Sequence, residues 1–129
     1  MTILYADDDV DDRDLVMEAL REIDPSISCI TATDGREVIG LLEHHLPLPD
    51  YIMLDINMPA MNGKECLTVL KQNERLKNIP VVIYSTTSDQ REIDEYLALG
   101  ALTFIRKPHT FTQLCTALTI FLASSGRKK

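Results

Sequence analysis

The chain has 129 residues, which is enough for one domain with a hydrophobic core of its own. Asp and Glu number 20 against 13 Lys and Arg, so the formal net charge is −7, and 45% of the residues are hydrophobic. These values exclude a disordered chain and a disulfide-stabilised scaffold, and the acidic balance argues against a nucleic-acid-binding protein. No apolar run approaches the roughly 18 residues that span a bilayer, and the first residues lack the basic start of a signal peptide. We therefore expect a cytoplasmic protein without a membrane partner.

Five short apolar runs recur along the chain and are separated by segments with helical periodicity. Continuous apolar runs of this kind, rich in β-branched residues, are typical of strands that are buried on both faces of a parallel sheet. The predicted strands cover residues 3–6, 27–32, 51–54, 81–84 and 102–105.

Each predicted strand is followed by apolar residues at helical spacing, which predicts five amphipathic helices. Thr87 and Thr110 are each followed three residues later by Gln, a capping-box spacing that predicts helix starts. The five predicted stripes are Leu15, Val16, Ala19, Leu20 and Ile23; Val38, Ile39, Leu42 and Leu46; Cys66, Leu67 and Leu70; Ile93, Tyr96 and Leu97; and Leu114, Ala117, Leu118, Phe121 and Leu122.

Five consecutive strand–helix units predict a doubly wound α/β domain with right-handed crossovers. We place this domain at residues 1–123 and read residues 124–129 as a short, basic C-terminal tail. In such domains the ligand site lies beyond the carboxyl ends of the strands. The side chains at those ends are therefore the candidates for function.

Reactive side chains follow four of the five predicted strands. Asp7 and Asp8 follow the first, Asp55 follows the third, Ser85 follows the fourth, and Lys107 lies after the fifth. Clustered carboxylates repel one another unless a proton or a cation joins them, and oxygen ligands of this kind suit Mg²⁺. A carboxylate between a divalent cation and an ammonium group favours phosphoryl chemistry, with Asp55 as the nucleophile.

In these residues, and in the order of their elements, the sequence resembles the receiver domain of two-component response regulators over almost its whole length. The segments that carry the resemblance are the acidic pair at 7–8, LDINMPAMNG at 54–63, Ser85, and FIRKP at 104–108. The resemblance implies a flavodoxin-like (βα)5 fold with a five-stranded parallel sheet in the order 2-1-3-4-5. It also implies a stand-alone receiver, because no output domain fits in the predicted tail.

The resemblance assigns a role to each matching position. Asp55 is similar to the phosphoacceptor of the family, and Ser85 and Lys107 are similar to the hydroxyl and the amine that contact the phosphoryl group. For Mg²⁺, it implies ligands from Asp55, from Asp8 directly, and from Asp7 through water. Asn57 is expected to contribute its backbone carbonyl to the same metal. Phe104 falls at the aromatic switch position, where a phenyl ring can act only through packing.

The implied partners are proteins. A sensor histidine kinase or a histidine phosphotransfer protein is expected to donate the phosphoryl group, and an unknown downstream protein is expected to receive the signal. The chain is then not an enzyme with a diffusible product. Two alternatives remain: a haloacid-dehalogenase-like phosphatase, which needs a second acid where this chain has Asn57, and a degenerate receiver used only for binding.

Several polar residues are expected to have no such role. Asp11, Asp12 and Asp14 read as solvated acids at a helix start, where negative charge is favourable. The three histidines, His44, His45 and His109, lack an acidic or hydroxyl partner nearby in sequence and are expected at the surface. A calcium loop beginning at position 7 is disfavoured, because its sixth position is not glycine and a strand precedes it.

Overall fold

The computed structural model describes residues 1–44 and 47–124, in which strands and helices alternate. The strands are β1 (Thr2–Ala6), β2 (Ser28–Ala32), β3 (Tyr51–Leu54), β4 (Val81–Ser85) and β5 (Thr103–Arg106). The helices are α1 (Val10–Ile23), α2 (Gly35–His44), α3 (Gly63–Gln72), α4 (Gln90–Ala98) and α5 (Phe111–Ser124). Each predicted strand is confirmed to within one residue at either end.

All five strands form one parallel sheet in the order β2-β1-β3-β4-β5, which confirms the predicted fold class and strand order. Strand β1 lies next to β2 with Thr2 opposite Ser28, and on its other side next to β3 with Ile3 opposite Tyr51. The chain reverses its direction of winding between β2 and β3. Strands β1 and β3 are therefore neighbours, and their carboxyl ends meet at the switch point where doubly wound folds bind ligands.

The core consists of two layers, one on each face of the sheet, because successive strand residues point to opposite faces. Leu4 and Ala6 pack with residues of α2, α3 and α4. Ile3 and Tyr5 pack on the other face with residues of α1 and α5. The central strands are apolar on both faces for this reason.

Two predicted details of the helices are wrong. Helix α4 is capped by Asp89, whose side chain accepts a hydrogen bond from the Arg91 amide, because a carboxylate next to the first turn competes better than Thr87 two residues earlier. Leu15 and Leu97 were predicted on buried stripes but are 42% and 41% exposed, since they lie at the borders of their stripes. The predicted cap at Thr110 does accept from the Gln113 amide.

Some expectations fall outside the described residues: His45, Leu46, and the predicted tail from residue 125 onward. Within 1–44 and 47–124, no helix combines the length and the apolar character that crossing a bilayer requires.

Candidate functional site

Three carboxylates meet at the switch point. One oxygen from each of Asp7, Asp8 and Asp55 lies within 4.8 Å of the other two. Asp7 and Asp55 are buried, whereas Asp8 is exposed, so the cluster opens to solvent on the Asp8 side. The sequence-based expectation that these acids converge is confirmed by this geometry.

The backbone of the sheet fixes the two buried acids. The Asp7 amide donates to the Ala32 carbonyl over 3.0 Å, and the Asp55 amide donates to the Ala6 carbonyl over 3.0 Å. Each acid therefore extends the sheet by one residue beyond its strand. Parallel pairing of β1 with β3 brings the two side chains together without help from a flexible loop.

Lys107 reaches this cluster from the loop after β5. Its amide donates to the Ser85 carbonyl over 2.8 Å, which anchors the backbone at the end of β4. Its Nζ lies 2.9 Å from Asp7 Oδ2, 2.8 Å from Asp12 Oδ2 and 3.7 Å from Asp55 Oδ1. Burial lowers the pKa of Lys107, but hydrogen bonds to Asp12 and Asp7 outweigh this effect and raise the pKa above its usual value.

Asp7 is the most enclosed of the acids and has several donors. The Tyr5 hydroxyl donates to its Oδ2, and the Asp9 amide donates to its Oδ1 over 3.0 Å. Burial and then the hydrogen bond to Asp7 raise the pKa of Tyr5, so the phenol stays protonated as a donor. The Tyr84 ring packs edge-on against Tyr5 and lies 5.4 Å from Lys107 Nζ, within cation–π range.

The surroundings of the Asp55 carboxylate disfavour its charged form. Burial raises its pKa to about 6, and the neighbouring charge on Asp7 acts in the same direction. Lys107 and the Ile56 amide, which donates to Asp55 Oδ1 over 2.8 Å, oppose this shift but do not cancel it. The cluster therefore has an excess of negative charge, which a bound cation would relieve.

This excess charge makes a testable prediction for stability. The pKa of Asp55 is higher in the folded state than its ordinary value of 3.8, so its favourable contribution to the free energy of unfolding is present below about pH 4 and is lost as pH rises through about 6. Without divalent metal at pH 7.5, we expect Asp55→Asn to be more stable than the wild type by about 2 kcal/mol. Urea unfolding at several pH values tests this, and an equal advantage at pH 4 would contradict it.

In the loop after Asp55, the backbone of Gly63 packs closely against the backbone of Asp55 and Ile56. The Gly63 amide donates to the Ile56 carbonyl over 3.0 Å, and a Cβ on Gly63 would lie 2.5 Å from the Asp55 carbonyl oxygen. Asn62 and Glu65 form a capping box that starts α3 at this point. Ala60 has φ 63°, a left-handed conformation that is costly for a residue with a side chain.

The remaining predicted site residues lie around the same edge of the sheet. Ser85 is 2% exposed, and its Oγ accepts from the Thr87 amide over 3.3 Å. Phe104 is half-buried and packs against the core layer formed by α2, α3 and α4. Asn57 is exposed in the loop that follows Asp55. His44 and His109 are exposed, as expected for residues without a role in the site.

Sequence reasoning missed two residues of the site. The sequence predicts Asp12 to be a solvated acid at a helix start, but Asp12 accepts a hydrogen bond over 2.8 Å from Lys107, 95 residues away in the chain. The sequence predicts Tyr5 to be a core residue of the first strand, but its hydroxyl also donates a hydrogen bond to Asp7. A signal for Tyr5 was present, because residues two apart in a strand share a face. For Asp12 no local signal exists.

The oxygen atoms of the cluster fit a hard divalent cation. Three carboxylates, two buried and one exposed, provide ligands at one edge and leave room for water on the open side. Among residues 1–44 and 47–124, no histidine or cysteine takes part in this cluster, so its chemistry favours Mg²⁺ or Mn²⁺ over metals that prefer nitrogen and sulfur.

Comparison with known proteins agrees with this geometry. The family model for the response regulator receiver domain matches residues 3–119. Response regulator Rcp1 from Synechocystis is 30% identical over 117 residues, covering 87% of this chain and 80% of Rcp1. A protein-glutamate methylesterase/protein-glutamine glutaminase from Desulfotalea psychrophila is 41% identical over 119 residues, which cover 87% of this chain but 30% of that protein.

Solved structures give the same result. The phosphorylated cyanobacterial phytochrome response regulator RcpA superposes with a TM-score of 0.88 at 28% identity, over 99% of this chain and 96% of RcpA. The Mn²⁺-bound form of Rcp1 superposes with a TM-score of 0.85 at 26% identity, with the same coverage of both chains. The chain belongs to the response regulator receiver domain family of two-component signalling.

Proposed function

We propose that this chain accepts a phosphoryl group on Asp55 from a sensor histidine kinase or a histidine phosphotransfer protein, and then signals by contact with a downstream protein. The observation that carries the proposal is the combination of clustered acids and ammonium, with Lys107 Nζ 3.7 Å from Asp55 Oδ1. Receiver domains take phosphoryl groups from histidine kinases, and the family match supports the same role here.

The metal would be held directly by the carboxylates of Asp8 and Asp55 and through water by that of Asp7, with the backbone carbonyl of Asn57 as a further ligand. Mg²⁺ bound there supplies positive charge that neutralises the oxygens of the transferring phosphoryl group. The Mn²⁺-bound form of Rcp1 supports a divalent ion in proteins of this kind. The exposed side of Asp8 leaves a path by which the ion and the donor can enter.

In the proposed transfer, three side chains of the protein contact the phosphoryl group. A carboxylate oxygen of Asp55 attacks the phosphorus of a phosphohistidine, the new O–P bond forms as the N–P bond breaks, and the leaving imidazole takes up a proton from water. Lys107 donates a hydrogen bond to a phosphoryl oxygen, because its ammonium already lies beside the acceptor. The hydroxyl of Ser85 donates to another phosphoryl oxygen.

The signal then follows from the added charge of about −1.5 to −2 on Asp55. Ser85 moves toward the phosphoryl group, and the half-buried ring of Phe104 repacks into the space that Ser85 vacates. The surface formed by α4, β5 and α5 changes as a result. The partner that reads this surface is a protein, and the chain makes no diffusible product.

Incubation with Mg²⁺ and a small phosphodonor, followed by intact-mass spectrometry, tests this function. We expect the wild type to gain one phosphoryl group per chain, and we expect no gain with EDTA or in Asp55→Asn. Asp11→Asn is the control, because Asp11 is exposed and outside the cluster, and it should label as the wild type does.

Two outcomes would contradict the proposal. Stoichiometric labelling of Asp55→Asn would place the acceptor elsewhere. Continuous release of phosphate from a stable phosphoester would favour the phosphatase alternative over a signalling switch.

A further inference from the structure

The ammonium of Lys107 is shared between two carboxylates, and neither belongs to the proposed acceptor. Nζ lies 2.9 Å from Asp7 and 2.8 Å from Asp12, both within hydrogen-bond distance. Its distance to Asp55 Oδ1, 3.7 Å, is beyond that range. In the unphosphorylated protein, Lys107 is therefore bound more closely to Asp12 of α1 and to Asp7, which follows β1, than to the residue it would assist.

The two bound carboxylates differ in how easily they release the lysine. The Asp7 side chain is fully buried and also accepts from the Tyr5 hydroxyl and the Asp9 amide. The loss of its cation leaves such a buried carboxylate with an uncompensated charge, which is strongly destabilising. The Asp12 side chain is 32% exposed, so water can replace Lys107 there at little cost. A new anion at Asp55 would therefore displace Asp12 before Asp7.

We propose that Asp12 is a positioning residue that restrains Lys107 in the unphosphorylated protein. Phosphoryl transfer then exchanges the ion pair between Asp12 and Lys107 for a contact between Lys107 and the phosphoryl group. This inference rests on the proposed function of Asp55. It also gives α1 a part in the switch, because its first turn loses its link to the loop after β5 when the exchange occurs.

The direction of the effect follows from charge. Asp12 competes with the phosphoryl group for Lys107, and its negative charge lowers the positive potential at the site. Asparagine keeps an acceptor oxygen that can orient the ammonium but removes that charge. We expect Asp12→Asn to raise the initial rate of labelling by acetyl phosphate at saturating Mg²⁺ by about threefold to tenfold.

Two further variants separate the ion pair from general charge effects. Asp11→Asn removes the same charge one residue away, on an exposed side chain outside the contacts of Lys107, and should label at the wild-type rate. Asp12→Glu keeps the charge and should return the rate to within about twofold of wild type. The Mg²⁺ dissociation constant, measured by calorimetry without phosphodonor, should change less than twofold in Asp12→Asn, because Asp12 lies outside the carboxylate cluster.

A direct observation on the wild type complements the rates. The side-chain carboxyl ¹³C resonance of Asp12 should shift on labelling, and that of Asp11 should stay nearly unchanged. An Asp12→Asn rate equal to or below that of wild type would overturn the inference, and so would an equal acceleration in Asp11→Asn. In those cases the wild type still labels at Asp55. A wild type that does not label removes the proposed function and this inference together.

Discussion

Replacing Lys107 with Ala is expected to lower the free energy of unfolding by about 3 kcal/mol in metal-free buffer. The side chain is 12% exposed and neutralises Asp7, whose carboxylate is fully buried. Without the ammonium, the side-chain carboxylates of Asp7 and Asp55 would keep the hydrogen bonds from the Tyr5 hydroxyl and from the amides of Asp9 and Ile56, all of which are neutral donors. Urea unfolding at pH 7.5 measures this loss, and added Mg²⁺ should recover part of it by binding the folded state.

The matched control for Lys107 is Lys64→Ala. Lys64 pairs with Glu95 over 3.2 Å, but the two side chains are 50% and 52% exposed. Exposed ion pairs contribute little to stability, so the free energy of unfolding of this variant should fall by less than about 1 kcal/mol. Equal losses in the two variants would show that burial at Lys107 has no special weight.

Labelling of Asp55 in Lys107→Ala should also fall by about 100-fold or more, because one charged donor to the phosphoryl group is gone.

The second large effect is expected at Gly63. A methyl group there would lie 2.5 Å from the Asp55 carbonyl oxygen and 3.0 Å from the Ile56 Cα, and both of these are backbone atoms. Because neither atom can move without shifting Asp55, we expect Gly63→Ala to lower the free energy of unfolding by about 2 to 3 kcal/mol. A displacement of the acceptor should also slow labelling by about 100-fold.

Gly40→Ala is the control for this substitution. Gly40 lies within α2, and a methyl group added there meets no atom of another described residue within 4 Å. Alanine should therefore stabilise the helix by about 0.5 to 1 kcal/mol and leave labelling unchanged. Thermal and urea unfolding of both variants decide the matter. A Gly63→Ala protein with wild-type stability and rate would contradict the packing argument.

Much of the fold was predictable because its signals are local. Strands buried on both faces must be apolar throughout, and the helices between them must be apolar on one face. The order of the strands came from the family resemblance. In a parallel sheet in which β1 lies next to β3, the carboxyl ends of these two strands must meet, so the sequence predicts that Asp7 and Asp55 lie together.

The contacts of Lys107 were harder to predict because they depend on the position of the ammonium group at the tip of a long side chain. Its hydrogen bond to Asp12 joins residues 95 apart in sequence, and an acid in the first turn of a helix has a sufficient local explanation without it. The predictions that Leu15 and Leu97 are buried were wrong for a related reason. Periodicity gives the direction of a side chain, but the width of the covered stripe depends on the neighbouring helices.

The central claim is that the side chain of Asp55 accepts the phosphoryl group. Reduction of the labelled protein with borohydride, followed by peptide sequencing in a mass spectrometer, identifies an aspartyl phosphate because the reduced residue becomes homoserine. We expect homoserine at position 55 and unmodified aspartate at positions 7, 8 and 12. Homoserine at one of those other positions, or a label retained on a serine or histidine, would contradict the account.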